Sequence, residues 1–349
     1  MSKKKIKDPS QEYVHTSALV KSTHVFNFSQ YFKQILEVRE IGVIIALISI
    51  ALFFSLTTSV FLTWRNFFNI VRQASVIGII AVGMTILIIS QEFDLSVGSI
   101  LAVTAMTSGL MIKHTHMNIW LTIPLGLGLG AIMGLINGFI TIKGHIPSFI
   151  ATLGMMMFYR GIAFVLSKGM PIALYKPSSF YILLGQGRLF GLIPAPAIWL
   201  VVVCLVGYFF LHHTKYGFEV YATGGNEEAA RLCGINTKRI KLISFIIAGM
   251  AAAFAGLVSV AYLGSVTPRQ GMGIELEAIA ASVIGGASLL GGEGSILGAF
   301  LGAFIMAEIR NGLVIKGVGV YWQDALLGLV IVIAVLLTTQ IQRRRAIES

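Results

Sequence analysis

Charge is scarce in this chain. Asp, Glu, Lys and Arg make up 12% of its 349 residues, against about a quarter in soluble domains. Hydrophobic residues make up 56% and mean hydropathy is +0.84, which excludes an ordinary soluble domain and points to a bilayer. Cysteine is nearly absent too: Cys204 falls in an apolar run and Cys233 in a polar one, so neither a disulfide framework nor redox chemistry is expected. No Gly-x-x-x-x-Gly-Lys-Ser/Thr occurs, which excludes a nucleotide site of the usual phosphate-loop kind. Nor is there a Gly-x-Ser-x-Gly elbow. His114 and His116, and the adjacent His212 and His213, lack metal-ligand spacing. No catalytic residue and no metal site is therefore expected, and the chain reads as a non-enzyme.

What is present is a series of long, unalternating apolar runs. Hydrocarbon offers no hydrogen-bond partner, so such runs span as helices of about 20 residues. The expected fold is all-α and polytopic, with ten spans near 42–63, 74–90, 96–112, 119–142, 148–166, 190–211, 243–263, 275–290, 295–312 and 321–339. The eighth and ninth are separated only by Gly291-Gly292-Glu293-Gly294-Ser295, either a tight turn or a break in a re-entrant structure. The domain reading is a cytoplasmic tail over 1–40, a transmembrane domain over 41–340 and a cytoplasmic tail over 341–349.

Positive charge is retained in the cytoplasm. With both ends inside, Lys3, Lys4, Lys5, Lys7, Lys21, Lys33, Arg39, Lys143, Lys215, Arg231, Lys238, Arg239, Lys241, Arg343, Arg344 and Arg345 lie on that side. Arg65, Arg72, Lys113, Lys168, Lys176, Arg188, Arg269 and Lys316 face outward. The net charge of +11 reads as topology and affinity for anionic lipid rather than for nucleic acid. The first ~20 residues lack an apolar core, so no cleaved signal peptide is expected.

Two patterns organise the apolar body. Asn137-Gly138-Phe139-Ile140-Thr141-Ile142-Lys143-Gly144 resembles Asn311-Gly312-Leu313-Val314-Ile315-Lys316-Gly317, five spans later, and an odd offset implies an inverted repeat. Acidic residues precede each copy's neighbouring span, Asp94-Leu95-Ser96 and Glu275-Leu276-Glu277. Second, Gly126, Gly130, Gly134 and Gly138 recur every fourth residue in the fourth span, as do Gly294, Gly298 and Gly302 in the ninth. Such stripes let another backbone approach closely, so these two helices are expected to be central.

The polar island Tyr221 to Gly234, followed by Lys238-Arg239-Ile240-Lys241, must lie outside the bilayer. Glu227-Glu228-Ala229-Ala230-Arg231-Leu232 reads as a short helix stopped by Gly234, and the island as a docking surface for a soluble partner. The outer connections 167–189 and 264–274 are candidate outer surfaces. Polar groups at membrane depth default to functional hypotheses. Gln91, Asp94, Ser96, Asn137, Thr152, Asn311 and Gln323 are candidates for a substrate path or gate, with Phe149, Tyr159, Tyr321 and Trp322 as aromatic faces beside them. Capping of the third helix by Asp94 or Ser96 is the competing reading; for Arg160, Glu308 and Arg310 it is structural ion pairing.

Several blocks together resemble the permease subunits of bacterial ABC importers of the ribose/xylose/galactose type, over roughly residues 40–340. They are Asn69 to Ile79, Gly83-Met84-Thr85 leading to Asp94-Leu95-Ser96-Val97-Gly98-Ser99, Ile146-Pro147-Ser148-Phe149-Ile150-Ala151-Thr152-Leu153-Gly154, Ala222-Thr223-Gly224-Gly225-Asn226-Glu227, Ala278 to Gly286 and Asn311-Gly312-Leu313. The resemblance implies a homodimeric channel in the bacterial inner membrane, bound inside by an ATPase that carries ATP and Mg, and outside by a sugar-binding protein. It implies that Gly224, Gly225, Asn226, Glu227, Glu228, Ala229, Ala230 and Gly234, within a loop at 212–242, couple to that ATPase. The chain departs from the pattern at Gln91-Glu92-Phe93, where many such permeases have a glycine pair, and no Leu-Pro follows Ile240. An ion-coupled carrier and the same machinery with another cargo, an amino acid, nucleoside or furanose, stand as alternatives.

Overall fold

A computed structural model of the chain describes residues 39–115, 119–174 and 182–348. The expected tail at 1–40 falls almost wholly outside them, as do His116, Lys176 and Pro177. The described chain forms helices α1 (Arg39–Thr57), α2 (Trp64–Ile89), α3 (Val97–Thr115), α4 (Ile119–Gly144), α5 (Ser148–Ser167), α6 (Ala195–His213), α7 (Lys215–Gly225), α8 (Glu227–Leu232), α9 (Thr237–Leu263), α10 (Ile274–Ile284), α11 (Ile296–Ile315) and α12 (Val320–Glu348). The strands among them are two-residue pieces, paired as Ile172–Ala173 with Ser265–Val266 and Arg188–Leu189 with Ile193–Pro194. The protein is an all-α polytopic membrane protein. Seven of the described helices, α1, α2, α4, α5, α6, α9 and α11, are long and apolar enough to cross a bilayer.

A helix stands at each of the ten expected spans, but the eighth differs in kind. α10 has 11 residues, about 16 Å at 1.5 Å per residue, roughly half the hydrocarbon thickness. Residues 285–295 continue without helix, and their backbone groups find partners in protein: Ala287 N donates to Ser282 O, Ser288 N to Glu293 O, and Gly292 N to Ile89 O. Irregular backbone is tolerated at membrane depth on that condition. At its end α12 continues through residues 341–348.

The expectation that the glycine-striped helices are central is overturned. α2 and α9 hold the centre, with 83% and 67% of their apolar windows buried against 39% for α4. The stripes are one-sided seams. Gly126, Gly130, Gly134 and Gly138 all face α9, while Gly298 and Gly302 face α10, leaving the opposite face of α4 exposed at Ile132, Leu135 and Phe139. Gly294 does not belong to its stripe. It lies in the loop at φ 158°, before Ser295, whose side chain caps α11 by accepting from Gly298 N.

Packing partners exchange between the halves. α4 packs on α9 as α11 packs on α2; α3 on α9 as α10 on α2; α3 on α5 as α10 on α12. Matching α2 with α9, α3 with α10, α4 with α11 and α5 with α12 preserves the principal contacts among these eight helices, with α4 and α11 running oppositely through the core. α1 and α6 depart from the pattern, each leaning on the other half, α1 on α11 and α6 on α2.

Candidate functional site

One end of the helical body gathers the loop 90–96, α7, α8, the start of α9 and the loop 285–295. The polar island forms two helices there, not one. Thr214 caps α7 by accepting from Gly217 N. Asn226 both ends α7 and starts α8, its Oδ1 accepting from Ala229 N at 2.9 Å. Gly234 at φ 86° takes the left-handed turn after the C-cap at Cys233, and Asn236 caps α9.

α8 is held from below and open above. Ala230 is buried, whereas Glu228, Ala229, Arg231 and Leu232 are exposed. Leu232 is 85% exposed on a helix flanked by Arg231, Lys238 and Arg239, an apolar knob in a basic frame. Glu227 anchors the helix. Its Oε2 lies 2.9 Å from Lys241 Nζ and its Oε1 accepts from Thr237 Oγ1 at 3.0 Å. Partial burial pushes the Glu227 carboxyl up, but the Lys241 hydrogen bond and charge outweigh it and hold the group below the usual range. Its contribution is therefore present above the unfolded value of about 4.3 and is lost as pH falls through the lower folded value. Lys241 Nζ also lies 2.9 Å from Glu92 Oε1.

Gly224 and Gly225 are not equivalent. A Cβ at Gly224 would lie 1.6 Å from Ile89 O and 2.7 Å from Gly292 N, whereas one at Gly225 would meet nothing within 4 Å.

Of the expected path residues, the structure brings four together. Asp94, Ser96, Asn137 and Thr152 are fully buried. Asp94 Oδ1 accepts from Ser96 N at 2.8 Å and Ser96 Oγ at 2.7 Å; Asp94 Oδ2 accepts from Asn137 Nδ2 at 2.9 Å. Asn137 Nδ2 also donates to Ser96 Oγ, and Asn137 Oδ1 accepts from the Tyr159 hydroxyl. Thr152 Oγ1 accepts from Leu95 N, and Ser148 Oγ from Phe93 N. The network ties the 90–96 segment to α3, α4 and α5. Tyr159, expected as an aromatic face, acts here through its hydroxyl, and Ser148 was not marked as a polar partner by spacing or type.

Gln91 is exposed at the same end and donates to Leu290 O at 2.9 Å, with φ 68°. Phe149 is 56% exposed on the outer face of α5. Asn311, Trp322 and Gln323 sit toward the opposite end: Trp322 is exposed, Gln323 donates to Val318 O, and Asn311 Oδ1 is buried without a partner. Arg310 pairs with Glu277 of α10 and lies 3.8 Å from Asp324, rather than pairing with Glu308. Arg160 donates to the carbonyls of Pro268 and Gln270 at 3.0 and 2.8 Å, fastening α5 to the connection at 264–274.

The buried network sets a stability expectation. In Asp94→Asn an NH2 replaces one acceptor while three donors still point inward, and turning Asn137 would sacrifice its bond from Tyr159. We expect the midpoint of thermal unfolding in detergent to fall, through a stability loss of about 1–3 kcal/mol for a buried group left unsatisfied. An unchanged midpoint would show that the donors find other acceptors.

A helical membrane body built of two oppositely directed halves, with a polar helical projection at one end, defines the membrane-spanning part of a transporter. Residues 66–335 match the family described as branched-chain amino acid transport system / permease component, and the chain belongs to that family. Among curated proteins it is similar to the ribose import permease protein RbsC of Escherichia coli, 39% identical over 324 residues that cover 92% of this chain and 100% of the relative. RbsC of Bacillus subtilis is 38% identical over 300 residues, 86% of this chain and 92% of the relative. The xylose transport system permease protein XylH of E. coli is 35% identical over 368 aligned positions, 88% and 94%. No solved structure matches the chain significantly.

Proposed function

We propose that this chain is the permease subunit of an ATP-driven ABC importer in the bacterial cytoplasmic membrane, and that its cargo is a monosaccharide of the ribose or xylose kind. The observation that carries the reading is α8: a capped six-residue helix wedged against the body by Glu227, with Leu232 turned outward. We read this leucine, at the tip of a capped helix outside the bilayer, as the part that enters a partner's cleft, and the relatives named for ribose and xylose align over nearly their whole length. On this reading α8 faces the cytoplasm with both termini, and the soluble partner is the ATPase, which holds ATP and Mg. An extracytoplasmic binding protein delivers sugar to the opposite face. Two copies of the chain, embedded in lipid, alternate between outward and inward openings at their shared interface. Transport requires only that affinity for sugar differ between these states, so this chain performs no covalent step. The family description favours a branched-chain amino acid as the second reading of cargo.

Affinity capture from native membranes, followed by mass spectrometry, tests the assignment. An ATPase should co-purify with the unmodified chain, and Leu232→Glu should reduce its recovery at least tenfold. A co-purifying binding protein identifies the cargo. Absence of any ATPase, under conditions that keep other membrane complexes intact, would sink the proposal and favour an ion-coupled carrier.

A further inference from the structure

We infer that Lys241 is the joint through which movement of α8 reaches the membrane interior, a positioning residue that deepens the importer reading and rests on it. Its side chain, 11% exposed, sits between two carboxylates of different segments: Glu227 on α8 and Glu92 in the 90–96 loop, each at 2.9 Å. Neither carboxylate touches the other's segment by itself. Glu92 and Glu227 share one ammonium, and without it two like charges would be left near each other in a half-buried gap.

What lies beyond Glu92 makes the joint consequential. The next residues are held by a dense set of side-chain hydrogen bonds. Phe93 N is held by Ser148 Oγ, Leu95 N by Thr152 Oγ1, and Asp94 by Ser96 and Asn137. A displacement of Glu92 is thereby communicated to the starts of α3 and α5 and to α4 in one step. The backbone contact at Gly224 is a different connection, which fastens α7 to the end of α2 at Ile89. Coupling between sites runs through such chains of ion pairs, hydrogen bonds and rigid elements. Lys241 is the member with a side chain long enough to span α8, α9 and the loop. Its stem can follow a movement of a few ångströms while the charge stays paired.

The full chain with its co-purified ATPase, in lipid nanodiscs, tests this without knowing the cargo. Two single-cysteine forms carry an environment-sensitive fluorophore: one at native Cys233 with Cys204→Ala, reporting α8, and one at Gln91→Cys with both native cysteines replaced, reporting the loop. The stimulus is ATP with vanadate. With Lys241 present both labels should respond. In Lys241→Met the Cys233 label should still respond while the response at position 91 falls at least fivefold. Glu92→Gln, which removes one charge at constant shape, should do the same, and Lys241→Arg should restore at least half. A position-91 response within twofold of the parent in both variants would overturn the inference, as would silence at position 91 in the parent itself. Loss of the ATPase or of the Cys233 response in Lys241→Met would place Lys241 in the dock and overturn the joint equally. Failure of the parent to hold an ATPase is a distinct result, which strikes the importer reading itself. If Lys241→Met does not fold, Glu92→Gln decides alone.

Discussion

Gly224→Ala should uncouple this protein, whereas Gly225→Ala beside it should not. The added methyl at Gly224 would fall 1.6 Å from the carbonyl oxygen of Ile89 and 2.7 Å from the amide of Gly292. Both obstacles are backbone, so no rotamer change relieves them. One of three chain segments must move, and moving Gly292 breaks its 2.9 Å hydrogen bond to the same Ile89 carbonyl. Overpacking usually destabilises by about 1–3 kcal/mol, occasionally more. A backbone clash this close belongs at or above the upper end. At Gly225, with nothing within 4 Å, alanine should be neutral or stabilising by up to about 1 kcal/mol, because glycine inside a helix is the poorer choice. The measurement is paired: thermal midpoint in detergent, and ATPase recovered with the tagged chain. Gly224→Ala should lose both and Gly225→Ala neither. Equal behaviour of the two variants would mean that the Ile89–Gly224–Gly292 contact is not what seats α7.

These two glycines mark where sequence reading reached its limit. Gly224-Gly225 between polar residues reads as a loop, so only the helix at Glu227-Leu232 was legible; α7 forms because Thr214 caps it and Ile89 and Gly292 cradle its end. Long apolar runs, by contrast, declare spans without reference to neighbours, and a helix does stand at each expected position. α10 ends at Ile284, short of the 290 expected from its apolar run. In the fold, Gly285 is pressed against Gly298 and Gly286 turns at φ 96°. Among the polar residues, Asp94, Ser96 and Asn137 stood out because charge and amide are expensive in an apolar context. That Asn137 reaches Asp94, 43 residues earlier, while Asn311 Oδ1 finds no donor, depends on where α4 and α11 come to rest against α9 and α2. Single-sequence patterning carries no such information. Lys241 was legible only as one of several cytoplasmic charges, since its significance is set by two carboxylates distant from it in sequence.

The glycine seam of α4 offers the second large effect, graded along one helix. A Cβ at Gly134 would approach Phe245 O to 2.3 Å, and one at Gly130 would approach Gly249 O to 2.5 Å and the Ala253 methyl to 2.3 Å. Gly249 reciprocates, its own Cβ position lying 2.3 Å from Gly130 O. Here two backbones touch, and the glycine Cα hydrogens face carbonyl oxygens, a weak but repeated attraction. In lipid this matters more than in water, because hydrocarbon supplies no hydrophobic drive to hold α4 on α9 and close packing must do it instead. At Gly126 the obstacle is softer, the methyls of Leu257 at 3.1 Å, and at Gly128, one turn-face away, there is nothing within 4 Å. Alanine substitution should therefore rank Gly134 and Gly130 as severe, Gly126 as mild and Gly128 as neutral or slightly favourable. The readouts are the monodisperse fraction after extraction and the thermal midpoint followed by a thiol-reactive dye at half-buried Cys204, in a background with the exposed Cys233 replaced by alanine. Because all four positions share one helix, differences in helix propensity cancel and what remains is the packing against α9. A flat response across the four would show that α4 is held by lipid and loop constraints rather than by this seam. It would also remove the reason for glycine at every fourth residue.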